Sequence, residues 1–282
     1  MVTIKNKSFD EERALYNTKD AEIIECRFEG PKDGESALKE SHGFKVKNSA
    51  FLLRYPLWHC TDFSLENCEM TDTCRAAIWY SVNANIADSK LHGIKAFREC
   101  ANFLFTNTDI DSLEFGWRCQ NINLQNCKLK SEYPFFESMN IRISDFEMKG
   151  KYSFQYTENV YICDSYLDTK DAFWHSKNVT LENCTIKGEY MGWYSEGLTL
   201  INCKIIGTQP FCYCKKLTLE NCEMEATDFA FEYSDVKADI KGSVLSVKNP
   251  ASGSITADGY GEIILKDFVI DCNCEIITRE KA

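Results

Sequence analysis

Proline and glycine are scarce in this chain, with five Pro and fourteen Gly among 282 residues. Long flexible linkers are therefore not expected. Basic residues are also in deficit, 32 Lys+Arg against 43 Asp+Glu, giving a net charge of −11. Nucleic acid and anionic membranes both call for a basic face, so neither is an expected partner. No apolar run reaches 18 residues, so no segment is suited to cross a bilayer as a helix. The stretch Met1-Val2-Thr3-Ile4-Lys5-Asn6-Lys7 has no apolar segment behind its charges, and no signal peptide is expected. What is plentiful is cysteine, fifteen in all. In a chain this long without an export signal, reduced thiols and a cytoplasmic location are the expectation. A hydrophobic share of 44% supports a packed core.

The chain repeats itself. Leu181-Glu182-Asn183-Cys184-Thr185-Ile186 returns as Leu200-Ile201-Asn202-Cys203-Lys204-Ile205 and as Leu219-Glu220-Asn221-Cys222-Glu223-Met224. Upstream copies are Leu65-Glu66-Asn67-Cys68-Glu69-Met70 and Leu124-Gln125-Asn126-Cys127-Lys128-Leu129. With the Cys position as marker, degenerate copies fall at 26, 49, 68, 89, 108, 127, 146, 165, 184, 203, 222, 243 and 268, and the intervals from 89 to 222 are all 19 residues. The columns three and five residues before the marker and two after it are apolar throughout, with polar residues between, which is the alternation of a half-buried strand. The residue before the marker is Asn, Asp or Gly in every copy except Glu25. Those residues tolerate left-handed backbone, so the column marks a corner.

A third strand lies upstream of each such pair. Its marker is small, as in Cys119, Ser138, Thr157, Ser176 and Ser195, and a second corner follows at Asn121, Asn140, Asn159 and Asn178. No unit has a helical period. Three short strands per unit bury a core only by stacking. The fold class is therefore all-β, a right-handed parallel β-helix of about thirteen coils with a 19-residue period. A leucine-rich-repeat horseshoe is the rival, but its asparagine stands one residue further along, and Asp171-Ala172-Phe173-Trp174-His175-Ser176 reads as another strand. The expected layout is one domain, 1–282, with an N-terminal cap over 1–13, regular coils over 14–243 and irregular coils with a cap over 244–282.

The coil resembles the pectin-lyase-like superfamily of right-handed β-helices, through the corner series Asn67, Asn126, Asn183, Asn202 and Asn221. The stretches Glu12-Arg13-Ala14-Leu15-Tyr16, Asp33-Gly34-Glu35-Ser36-Ala37-Leu38-Lys39-Glu40 and Leu53-Arg54-Tyr55-Pro56-Leu57-Trp58-His59 resemble a bacterial family labelled a domain of unknown function. That resemblance covers essentially the whole chain and implies the fold, not a reaction.

All five Trp fall in one column of the third strand, which reads Tyr16, Lys39, Trp58, Trp79, Arg98, Trp117, Phe136, Gln155, Trp174, Trp193, Cys212 and Glu232. The next column holds Glu40, His59, Tyr80, Glu99, Arg118 and Glu137, and later His175 and several Tyr. The column before the Trp column is apolar, so strict alternation leaves neither side clean, and a bulge between the Phe and small-residue columns is expected. An outward Trp column would offer flat ring faces to an extended sugar chain. Polar density peaks in the N-terminal half. A polysaccharide lyase needs a base and cations around a uronate, which His59, Arg54, Arg75 and Arg98 could supply. A glycosidase needs paired carboxylates, for which Glu40, Glu99 and Glu137 are the candidates. Lys39, Trp58, Trp79, Trp117 and Arg118 complete the candidate groove. The alternative is a solvated ladder of ion pairs on a non-catalytic scaffold.

Ten of the fifteen Cys occupy the two small-residue columns, where Ser and Thr interchange with them, so they read as small inward side chains. Cys212-x-Cys214 and Cys272-x-Cys274 are too short and isolated for zinc. No metal and no cofactor is expected. The expected partner is an oligosaccharide or a protein, and the oligomeric state is open.

Overall fold

The computed structural model describes residues 1–30 and 34–280, so Asp33 of the motif above lies outside the described residues. Among the described residues there are thirty-one strands and no helix. By its contacts the chain divides into two compact units, Met1–Glu147 and Met148–Ala282. Each is a right-handed parallel β-helix.

In the first unit, the first side of successive coils is formed by Val2–Lys5, Ala21–Ile24, Lys45–Lys47, Thr61–Glu66, Val82–Ala87, Ala101–Thr106, Gln120–Gln125 and Met139–Ser144, each parallel to the next. The second side runs from Ser8–Phe9 through Arg27–Phe28, Ala50–Phe51, Glu69–Met70, Lys90–His92 and Asp109–Asp111 to Lys128–Glu132. In the second unit, Glu158–Cys163, Lys177–Glu182, Glu196–Ile201 and Leu217–Glu225 make the first side. Identical columns stack inward. Ile23, Val46, Leu65, Ile86, Phe105, Leu124 and Ile143 form one such column and are all buried.

The corners are where the sequence places them. Asn126, Asn183, Asn202 and Asn221 have φ of 51°, 54°, 53° and 55°, and Glu25 joins them at 53°. The left-handed conformation costs a non-glycine residue roughly 1–2 kcal/mol. Side-chain ladders offset that cost. Asn221 Nδ2 donates to Asn202 Oδ1 at 2.5 Å, Asn202 to Asn183 at 3.2 Å, and Asn183 to Asp164 at 3.1 Å. At the other corner Asn140, Asn121, Asn102 and Asn83 donate in turn, ending on Asp62.

The third side departs from a plain strand. It is strand only at Leu57–Trp58, Ile78–Trp79 and Phe97–Arg98. Elsewhere, alternate residues are left-handed. Asp171, Phe173 and His175 have φ of 53°, 61° and 55°. This takes the place of the expected bulge. It leaves Phe173 buried, Trp174 half-buried, His175 exposed and Ser176 buried. The β-branched Ile78 would strain in that geometry, and its coil keeps the extended form.

At the N-terminal end, Val2–Lys5 and Ser8–Phe9 pair in register with the next coil. Val2, Ile4 and Phe9 align with Ala21, Ile23 and Phe28. The markers expected at 243 and 268 are misplaced. Leu217–Glu225 runs on as one strand, a register shift follows Leu219, and Ile240 rather than Ser243 pairs with Cys222. Gly242 still makes a left-handed corner, with φ of 77°, but past it Val244 is buried and Leu245 is 54% exposed, so the inward position comes one residue early. At 268 the residues placed inside by the columns, Ile263, Leu265 and Ile270, are exposed.

Candidate functional site

Every sequence-derived candidate lies on the third side of the first unit. The indoles sit outside the core and half-buried. Trp58 and Trp79 stack at 5.3 Å and 3°. Arg98 lies over Trp79 at 5.2 Å and over Trp117 at 5.0 Å. Lys39 Nζ lies 5.9 Å from the Trp58 ring, and Trp117 is 5.2 Å from Phe136. The column is thus a continuous stack of rings and cations. Ring faces are covered by neighbouring coils, which corrects the expectation that they are open for sugar stacking. Stacked columns expose edges, because side chains one coil apart in a parallel sheet lie one above the other.

Each indole is also clipped. Trp58 Nε1 donates to the Ala76 carbonyl at 2.6 Å, Trp79 to Lys95 at 2.7 Å and Trp117 to Tyr133 at 2.6 Å. In the second unit Trp174 donates to Tyr190 and Trp193 to Gln209. Gln155, in the same column, makes the equivalent bond to Asp171 at 2.9 Å. At these six coils the side chain is a donor with the reach to touch the next coil, which explains why Gln can stand in for Trp. Trp174→Phe should keep the stack and orphan the Tyr190 carbonyl, at a cost of about 1–2 kcal/mol. Urea unfolding checks this, and an unchanged midpoint would show that the bond contributes nothing.

The outer column carries the charges. His59 stacks on Tyr80 at 4.9 Å. Glu40 accepts the Tyr16 hydroxyl at 2.5 Å, which raises the Tyr16 pKa. Arg118 pairs with Glu137 at 2.8 Å, and the carboxylate raises the guanidinium pKa. Arg54 pairs with Glu35, with the same effect. Arg98 Nε is 3.6 Å from Glu99. Arg75 is exposed, and its side chain has no ion-pair partner among the described residues. At about 4.8 Å per coil, Glu40 and Glu99 are about 14 Å apart and Glu99 and Glu137 about 10 Å. The first spacing lies beyond the roughly 5–9.5 Å of glycosidase carboxyl pairs and the second at its upper edge. Arg54 and His59 share one coil, and Arg75 and Arg98 lie on the next two.

The sequence reading placed the groove in the N-terminal half and passed over a longer aromatic column in the second unit. Tyr156, His175, Tyr194 and Tyr213 stack at 4.9, 5.0 and 4.7 Å, each pair within 10° of parallel. The signal was present in the run of Tyr at that column but was outweighed by charge density upstream.

A cleft of about 470 Å³ lies elsewhere, along the first corner, lined by Asn48, Asn67, Asp88, Arg27 and Lys90 among others. It holds none of the candidate residues. Among the described residues no cluster of three or more His, Cys, Asp or Glu could hold a metal.

All fifteen cysteines are free thiols. Burial pushes Cys60 and Cys74 up to about 12, Cys68 and Cys214 to about 11, and Cys212 and Cys222 to about 12. A raised thiol pKa favours the folded state fully below the unfolded value, near 9.0. That contribution is lost as pH climbs toward the folded value. Stability should therefore fall between about pH 9 and 12. Cys60→Ser should make the fall shallower in a pH series of melting temperatures. An identical profile would rule out a thiol origin.

The fold and these ladders define a β-solenoid held together by repeated stacked columns. The chain belongs to the family described as Protein of unknown function (DUF3737), whose model matches residues 2–277. No curated protein sequence matches it. Among solved structures it is similar to the mannuronan C-5 epimerase AlgE4 A-module of Azotobacter vinelandii, at 9% identity and TM-score 0.36, covering 83% of this chain and 87% of that one. It is similar to the periplasmic alginate epimerase AlgG, at 8% identity and TM-score 0.28, covering 93% and 77%. It is also similar to QnrB1, a plasmid-mediated fluoroquinolone resistance protein, at 11% identity and TM-score 0.19, covering 78% and 92%.

Proposed function

We propose that the protein binds an extended carbohydrate along the third side of its first unit without cleaving it. The observation that carries this reading is the outer column Glu40, His59, Tyr80, Glu99, Arg118 and Glu137. It presents one exposed hydrogen-bonding group per coil, and its two carboxylates nearest to glycosidase spacing, Glu99 and Glu137, have Arg118 between them, ion-paired to Glu137. Polar edges in a regular row suit the hydroxyls of an extended saccharide, whose contacts are mostly hydrogen bonds. The free thiols favour a reducing compartment, and the proposed location is the cytoplasm. A panel of oligosaccharides screened by tryptophan fluorescence and, in parallel, by product chromatography tests the reading. Binding without turnover, lost in a Tyr80→Ala/Arg118→Ala variant, supports it. Turnover would return the enzyme reading, and an absence of saccharide binding would favour a protein scaffold.

A further inference from the structure

We propose that Arg98 is a carboxylate-recognition point, and that the bound saccharide is acidic, carrying a uronic acid at that coil; this rests on the carbohydrate reading above. Five Trp and one Gln of this column each donate to the next coil; Arg98, also a donor, makes no such bond. Its Nε is buried with no hydrogen-bond partner, one of three such side-chain atoms among the described residues. The nearest carboxylate, Glu99, stands at 3.6 Å from that nitrogen, beyond hydrogen-bond reach. A buried guanidinium donor left unbonded is costly, and such groups in folded proteins generally have a functional or solvent partner.

The surroundings hold the guanidinium in place. Trp79 covers one face and Trp117 the other, at 5.2 and 5.0 Å from its central carbon. Both indoles are themselves fixed by their bonds to Lys95 and Tyr133. Nε itself has almost no accessible surface, so a ligand meets the 19% of the side chain that remains exposed, between the two indoles. In-plane approach by a flat, two-oxygen group is the geometry of a bidentate Arg–carboxylate pair. The two indoles stand two coils apart, about 10 Å, with the guanidinium midway between them. A planar carboxylate can pair with two guanidinium nitrogens in that plane. Glu99 stands beside the guanidinium at 3.6 Å, Lys95 is paired with Glu114 and Arg118 with Glu137, so the surface here is close to neutral. A single carboxylate on a mostly neutral sugar chain suits this better than a run of acidic residues on a peptide.

The test titrates the full chain with disaccharides containing glucuronic or galacturonic acid, with their methyl esters, and with a hexaglutamate peptide, following tryptophan fluorescence. The acid should bind at least about tenfold more tightly than its ester, with the preference weakened by salt. Arg98→Lys keeps the charge but loses the planar fork, and should erase most of that preference. Equal binding of acid and ester by the wild type would overturn the Arg98 proposal and leave the carbohydrate reading standing. Failure of both sugars to bind would overturn both. Tight binding of hexaglutamate alone would reassign the site to an acidic peptide. Should Arg98→Lys fail to fold, the acid-to-ester ratio of the wild type decides.

Discussion

Gly192→Phe alone should destabilise the protein by about 1–3 kcal/mol, and Met191→Ala alone by about 2–5, yet the double variant should recover most of both losses. The reason is a trade of volume between two adjacent columns. Along the second unit the inward residue of the third side is Phe154, Phe173, Phe211 or Phe231, each fully buried and preceded by Ser153, Ala172, Pro210 or Ala230. At one coil the order inverts, to Met191-Gly192. A Cβ on Gly192 would approach Leu198 Cδ2 and Phe211 Cδ1 at 3.0 Å. The first unit does the same at Phe115-Gly116, where a Cβ would meet the Phe135 ring at 2.7 Å. Only one of the two positions can be large in any coil. The left-handed backbone is no obstacle to Phe, since Gly192 has φ of 76° and Phe173 and Phe211 have 61° and 64°. Guanidinium unfolding of the four proteins gives the coupling energy, expected at about 2 kcal/mol or more in favour of the double variant. Simple additivity would show that the two columns do not share a cavity.

Asn202→Val should cost about 1–3 kcal/mol. Asn202 both donates to Asn183 and accepts from Asn221. Valine loses both bonds and brings a β-branched side chain to a φ of 53°. Asn202→Asp separates the contributions. Its carboxylate can still accept from Asn221 but faces the Asn183 oxygen, so its loss should be smaller than that of valine. Thermal melts of the three proteins decide. An Asp variant as unstable as the Val variant would mean that the ladder bonds matter less than the residue's own shape.

The coils and corners were legible because both are written in period. Inward apolar columns repeat every 19 residues, and the left-handed corners can be filled cheaply by only a few residue types. Even Glu25, the exception, follows the backbone of its column. The third side was harder. Phe173 and His175 are not residues that announce a positive φ, and what holds them there is cross-coil: Phe173 N–H donates to Ser153 and His175 N–H to Trp193. Such partners lie one coil away and leave no local mark. The end of the repeat failed for a related reason. Ser243 follows a left-handed corner at Gly242, but the register shift that sets Ile240 against Cys222 moves the inward position from Leu245 to Val244. At the candidate site the residue types were legible, while their engagement was not. Nothing in the order Trp79, Arg98, Trp117 shows that a cation lies sandwiched between two indoles.

The asparagine columns also have a grammar. An amide can give and receive, so an Asn coil can stand anywhere in a column, and a copy of it inserted beside itself would find both neighbours already suited to it. A carboxylate can only receive. Asp62, Asp88 and Asp164 each accept from the coil that follows. Each therefore opens a run and cannot continue one. Coils built on Asn183, Asn202 and Asn221 are interchangeable modules that gene duplication could multiply or delete with little penalty, whereas a coil that begins with Asp has a fixed place. The solenoid's length is in this sense open to evolution in its interior, and its punctuation is written in the difference between one nitrogen and one oxygen.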